Sequence, residues 1–221
     1  MKRILVFGDS NSWGYTDEDN GQRYEKRWPI LLSQELIQKG FNTEIIEDCL
    51  PGRTTNIDDP QDGIHLNGAK VLKSSLLSHS PIDLVILMLG TNDLKFRFQR
   101  TAENIADGIK ELIQIVLDTN SGLGGWHDVN KSNLVVICPP SLGEKSYDPN
   151  WINFKEWEGG LEKSTELHFS FEKVCSQMGV HLIDANEFCQ SSSIDPIHWS
   201  KKMHLKFSEN LANIIDQKIK L

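Results

Sequence analysis

The chain has 221 residues, 38% of them hydrophobic and 24% charged, the balance of a soluble globular protein rather than a disordered one. That length suits one domain, residues 1–221, able to bury its own core without disulfides or metals. With 31 acidic against 23 basic residues the formal net charge is −8, which argues against nucleic acid or an anionic membrane surface as the main partner.

Taken in chain order, Ile4 to Phe7 reads as a first strand, and Trp28 to Lys39 as a helix with Pro29 in its first turn and Gly40 just past its end. Thr43 to Glu47 forms a second strand and Asn67 to Ser78 a second helix. Leu84 to Leu89 is apolar without alternation, the pattern of a strand covered on both faces of a parallel sheet. Ile105, Ile109, Leu112, Ile113, Val116 and Leu117 recur at helical spacing behind Thr101, a predicted N-cap. Leu134 to Ile137 is a further buried strand closed by Pro139 and Pro140; residues 160–178 are helical, Val180 to Ile183 is a fifth strand, and Phe207, Leu211, Ile214, Ile215 and Ile219 mark a closing amphipathic helix. This alternation predicts an α/β fold: a doubly wound, flavodoxin-like sheet of about five parallel strands with helices on both faces. Three stretches, 14–27, 49–66 and 139–158, are irregular and come after strands 1, 2 and 4. Ligands of open α/β sheets bind beyond the carboxyl ends of the strands, so these loops border the expected site.

No apolar run approaches the roughly 18 residues of a membrane helix. The run after Met1-Lys2-Arg3 is too short for a signal sequence, and the four cysteines, Cys49, Cys138, Cys175 and Cys189, show no CxxC pairing. They read as small buried thiols in a reducing compartment, which makes the cytoplasm the expected location. On that expectation the glycosylation sequon Asn130-Lys131-Ser132 is silent.

Four short segments carry candidate chemistry. Gly8-Asp9-Ser10 ends the first strand; a serine there points into the cleft, although Ser, Asp and Gly are also ordinary turn and cap residues and Ser12 is a rival. Asp195-Pro196-Ile197-His198 precedes the last helix. A serine needs an adjacent base, histidine suits that role, and a carboxylate on its other nitrogen fixes the tautomer. Gly90-Thr91-Asn92-Asp93 lies after the most hydrophobic strand, where a side-chain amide can donate to a developing oxyanion. Pro51-Gly52-Arg53-Thr54 lies after the second strand, and Gly52 permits close approach of its backbone N–H. Each has a bland reading as a turn; together they fall on one rim of the predicted sheet.

In order, Gly8-Asp9-Ser10, Gly52, Gly90 to Asp93 and Asp195-x-x-His198 resemble the four blocks of the SGNH (GDSL-type) hydrolase superfamily. The resemblance implies Ser10 as nucleophile, His198 as general base, Asp195 as its partner, and an oxyanion hole from the Ser10 and Gly52 N–H groups with the Asn92 side chain. Arg53 to Pro60 and Asp83 to Asp93 look like the arylesterase/acyltransferase branch. This implies a small-molecule substrate, short-chain or aryl esters, with acyl transfer to alcohols and a homo-oligomer as further implications. Asn11 departs from the family, whose name motif has Leu there.

Asn11, Trp13 and Trp199 neighbour the expected nucleophile and base and are candidates for the substrate pocket, with core packing the alternative for the tryptophans. The seven histidines show no HxxxH or HExxH spacing, so no metal is expected. There is no GxSxG elbow, GxGxxG or P-loop, so no cofactor is expected. Within enzymes, a carbohydrate acetylesterase, a thioesterase and a lysophospholipase are alternatives; outside them stands a catalytically silent module of the same fold.

Overall fold

A computed structural model describes residues 1–219; the last two residues of the expected domain, Lys220 and Leu221, lie outside them. Five parallel strands, β1 (Lys2–Gly8), β2 (Thr43–Cys49), β3 (Leu84–Met88), β4 (Asn133–Cys138) and β5 (His181–Asp184), form one sheet in the order β2-β1-β3-β4-β5. The helices are α1 (Ser10–Trp13), α2 (Trp28–Gln38), α3 (Gly68–His79), α4 (Ala102–Asp118), α5 (Phe154–Trp157), α6 (Gly160–Met178) and α7 (Lys201–Ile214), the last running into a π turn, Ile215–Ile219. The expected strands and long helices are present, with ends moved by a residue or two. Asn67, for example, is the N-cap of α3 rather than its first residue, its side chain accepting from Ala69 N–H.

The sheet separates two apolar layers because successive strand residues point to opposite faces. Leu5, Phe7, Val85, Leu87 and Val136 face α3, α4 and α6 through Leu72, Ile109, Leu112 and Phe171. Ile4, Val6, Ile86, Val135 and Ile137 face α2 and α7 through Trp28, Leu32, Phe207 and Leu211. Strand β3, central in the sheet, is buried along its whole length, which is why its sequence reads as an unbroken apolar run. Register aligns the carboxyl ends of the two neighbouring strands, Gly8 lying opposite both Cys49 and Met88. The loops leaving these strands therefore gather on one rim.

The loops after β2 and β4 are fastened to each other there. Arg97, in the short 3-10 turn Phe96–Phe98, pairs with Asp59 at 2.5 Å and Asp62 at 3.0 Å on one loop and with Glu156 at 2.7 Å on the other.

Candidate active site

The rim is organised by the tight exit from β1. Asp9 caps α1, its carboxylate accepting from Asn11 N–H at 3.0 Å. The helix lasts one turn before Gly14, in the left-handed region, donates its N–H to the Ser10 carbonyl at 3.0 Å. Gly8 has no side chain, and a Cβ there would sit 2.4 Å from Ser12 Oγ; its absence lets the helix fold back against the strand end. Ser12 is consequently fully buried and turned to the strand, whereas Ser10 Oγ faces His198.

From Ser10 runs a continuous hydrogen-bonded chain. His198 Nε2 lies 3.0 Å from Ser10 Oγ, and His198 Nδ1 lies 2.6 Å from Asp195 Oδ2. Asp195 Oδ1 accepts from Ile197 N–H at 2.8 Å and His198 N–H at 3.2 Å, so the three-residue spacing closes a turn on the carboxylate itself. Burial pushes the Asp195 carboxyl up, but the His198 ring and these two N–H groups outweigh it and hold the group below its usual range. An ionised carboxylate only accepts, which puts a proton on Nδ1 and leaves the Nε2 lone pair for the serine hydroxyl. The turn is braced from outside: Ser192 Oγ accepts from Asp195 N–H at 2.9 Å, Ser192 N–H donates to the His198 carbonyl at 2.8 Å, and Gly143 N–H donates to the Pro196 carbonyl at 2.8 Å.

The blocks after β2 and β3 lock together. Gly52 adopts φ 87°, a conformation that costs a residue with a Cβ. Asn92 donates one amide N–H to the Arg53 carbonyl at 3.2 Å, which leaves its second N–H for another acceptor. Asp93 accepts from Thr55 N–H at 2.9 Å, Thr55 Oγ1 at 2.6 Å and Arg100 Nη1 at 2.7 Å, tying the Gly52 loop to the Asn92 turn. Arg53, 4% exposed, stacks its guanidinium 4.0 Å from the Phe7 ring, reaches the Gly8 carbonyl at 3.3 Å and pairs with Asp48 at 2.7 Å. Asp9, wholly enclosed, is pushed up to about 6 by burial, with Asn11 N–H and the charges of His198 and Arg53 pulling the other way.

The three residues expected to line a pocket lie differently from one another. Trp13 is half-buried, with the Arg23 guanidinium 5.4 Å from its ring. Asn11 is buried and turned to the segment before His198, its Nδ2 donating to the Ile197 carbonyl at 3.1 Å. Trp199 requires a correction: it has no exposed surface and packs on Phe207 and His204 at 4.7 and 5.6 Å between ring centroids. It is a core residue, packed in the apolar layer that holds Trp28, Phe207 and Leu211. Sequence reasoning missed Tyr15, whose ring lies 4.0 Å from the His198 ring at 33°; nothing in its type or spacing marks it. Among the described residues no group of three or more His, Cys, Asp or Glu side chains is placed to hold a metal, and no helix is long and apolar enough to cross a membrane.

The chain is similar to known proteins in sequence and in fold. Residues 4–211 match the family described as GDSL-like Lipase/Acylhydrolase. An arylesterase of Vibrio mimicus is 29% identical over 147 residues, 66% of this chain but only 60% of that relative's length. Among solved structures, an aryl esterase of M. smegmatis in an inhibitor-bound form is 38% identical with a TM-score of 0.87, over 98% of this chain and 99% of that one. Est24, a carbohydrate acetylesterase from Sinorhizobium meliloti, is 35% identical with the same TM-score and coverage.

Proposed function

Since the chain belongs to the GDSL-like lipase/acylhydrolase family, we propose that it is a serine esterase that cleaves short-chain or aryl carboxylic esters through an acyl-serine intermediate. The observation that carries this is the unbroken hydrogen-bond chain Ser10–His198–Asp195 at 3.0 and 2.6 Å. In the proposed cycle Ser10 attacks the ester carbonyl while His198 Nε2 takes its proton. The Ser10 and Gly52 N–H groups and the free N–H of Asn92 receive the oxyanion. His198 then protonates the leaving alcohol, and water, or a second alcohol in the transferase variant of the cycle, releases the acyl group. One sheet holding all five strands supports treating residues 1–221 as a single hydrolase domain. Four unpaired cysteines favour a reducing, cytoplasmic setting, and self-association is carried over from the resemblance.

In this cycle Ser10→Ala lowers turnover of 4-nitrophenyl acetate by roughly 10⁴-fold or more with the fold intact. A fluorophosphonate labels Ser10 in the parent; absence of an adduct on any serine, with no turnover, would instead indicate a silent module. Loss of activity in Ser12→Ala but not Ser10→Ala would move the nucleophile. Similarity to Est24 keeps one other substrate class in view. A panel of aryl acetates and acetylated sugars, with and without added alcohol, decides it: higher kcat/KM on the sugars would make this chain a carbohydrate acetylesterase.

A further inference from the structure

The Tyr15 ring lies against the His198 imidazole, centroids 4.0 Å apart at 33°, and it is held there by groups other than the histidine. Tyr15 N–H donates to the Ser10 carbonyl at 3.0 Å, so the tyrosine is anchored to the residue His198 must reach. The segment then pairs back on itself, Tyr15 bridging Arg23 in antiparallel fashion. Gly21, at φ 76°, leaves the space the ring fills: a Cβ there would lie 2.9 Å from Tyr15 Cε2. The same segment is clasped to the start of α7, just beyond His198, by Glu18 Oε2 accepting from Lys201 N–H at 2.8 Å and by the Asp19–Lys201 ion pair.

We propose that Tyr15 is a positioning residue of the triad, its ring holding the His198 imidazole in line between Ser10 and Asp195 and offering its π face to the imidazolium formed when Ser10 gives up its proton. This rests on the reading of His198 as the base. An aromatic face attracts a cation placed over it, and a ring plane flanking an imidazole removes the rotation that would break its two hydrogen bonds. The other charged and titratable groups facing His198 are few. Asp195 holds Nδ1 from its own turn, and the Asp9 carboxylate acts on the ring from the end of β1. From α7, His204 is pushed down to about 4 by burial and adds no charge near neutral pH. Tyr15 thus lays an aromatic ring against the imidazole while the two carboxylates supply the charge.

The test compares Tyr15→Phe, Tyr15→Leu and Tyr15→Met in the full chain, with 4-nitrophenyl acetate as substrate and a fluorophosphonate as probe of serine reactivity. The phenylalanine variant keeps the parental kcat, acid limb and labelling rate. The leucine and methionine variants lose ~5-fold in kcat and in labelling rate with KM within about twofold, and the acid limb of kcat/KM moves ~0.5 unit to lower pH. Thermal unfolding sets each comparison at equal folded fraction, and two non-aromatic variants guard against one that does not fold. The inference is overturned if both aliphatic variants keep the parental acid limb and kcat, if only KM changes, or if Tyr15→Phe falls as far as Tyr15→Leu. Ser10→Ala separates the two failures: if it remains active, the esterase reading falls, whereas an inactive Ser10→Ala beside unaltered Tyr15 variants removes only the role of the ring.

Discussion

Asn11 stands directly after the proposed nucleophile, yet its amide reaches the carbonyl of Ile197, directly before the proposed base. One side chain thereby latches the two halves of the triad, which are far apart in sequence. Removing it leaves a buried carbonyl without that donor, a loss of about 1–3 kcal/mol. We expect Asn11→Ala to lower kcat ~10-fold and the unfolding free energy by ~1–2 kcal/mol while KM stays nearly unchanged; steady-state kinetics and urea unfolding check it. A rise in KM at constant kcat would instead return Asn11 to the pocket wall. At this scale the sequence reveals whatever is written in short blocks. Ser10, Gly52, Asn92, Asp195 and His198 stand out because each sits with its neighbours at the end of a strand or the start of a helix. The Asn11–Ile197 and Tyr15–His198 contacts join residues more than 180 positions apart, and no local spacing encodes them. Trp199 misleads for the converse reason: adjacency in the chain to His198 says nothing about which side of the backbone an indole takes.

Helix α4 reaches the site without contributing a residue to it. A Cβ on Gly108 would lie 2.1 Å from Thr55 Oγ1 and 2.7 Å from Asn56 Oδ1, so the helix seats itself on the Gly52 loop through a side chain it lacks. In a solvent-facing helix position Gly→Ala gains up to ~1 kcal/mol. Here overpacking dominates, and Gly108→Ala should cost ~1–3 kcal/mol and reduce kcat, because Thr55 also holds Asp93 beside Asn92. Chemical denaturation with parallel kinetics checks both; a stabilised, fully active variant would show that the loop yields freely. Long elements such as α4 and α6 are legible because several turns repeat one apolar stripe, and Thr101 announces its cap with a box completed by Asn104. Single turns have no period to read. For that reason α1, α5 and the 3-10 turns escape a reading by periodicity, although α1 is the turn that carries Ser10.

Across the whole molecule, two buried groups, one following β1 and one on α7, oppose each other in acid. His204 accepts from Trp28 N–H at 3.2 Å and is driven down to about 4 by burial. The folded state therefore takes up this proton later than the unfolded chain, and its contribution is complete above the unfolded value of about 6.5 and lost as pH falls toward about 4. Asp9 has the opposite sign: pushed up to about 6 by burial, its contribution is present below the unfolded value and is lost as pH rises through about 6. Each is on the order of 3 kcal/mol, so they nearly offset between about pH 4 and pH 6. We expect the stability advantage of the parent over His204→Gln to shrink by roughly 2–3 kcal/mol as pH falls from about 7 to about 4, measured by urea unfolding at each pH; a constant difference would mean that His204 titrates like a free imidazole. The parallel sheet and the layering of helices on both its faces were legible at this scale because strands and helices alternate along the chain. The cross-rim Arg97 tie was not, since it depends on which loops the sheet brings together.

The sheet places Ser10 at the end of the first strand and His198 just before the last long helix, 188 positions apart. During synthesis the serine therefore leaves the ribosome well before the histidine that its hydroxyl faces. On the proposed reading an acyl-transfer centre divided in this way has no partial form: a chain halted anywhere before His198 carries a serine without its base, and the appearance of activity marks the moment the two segments meet.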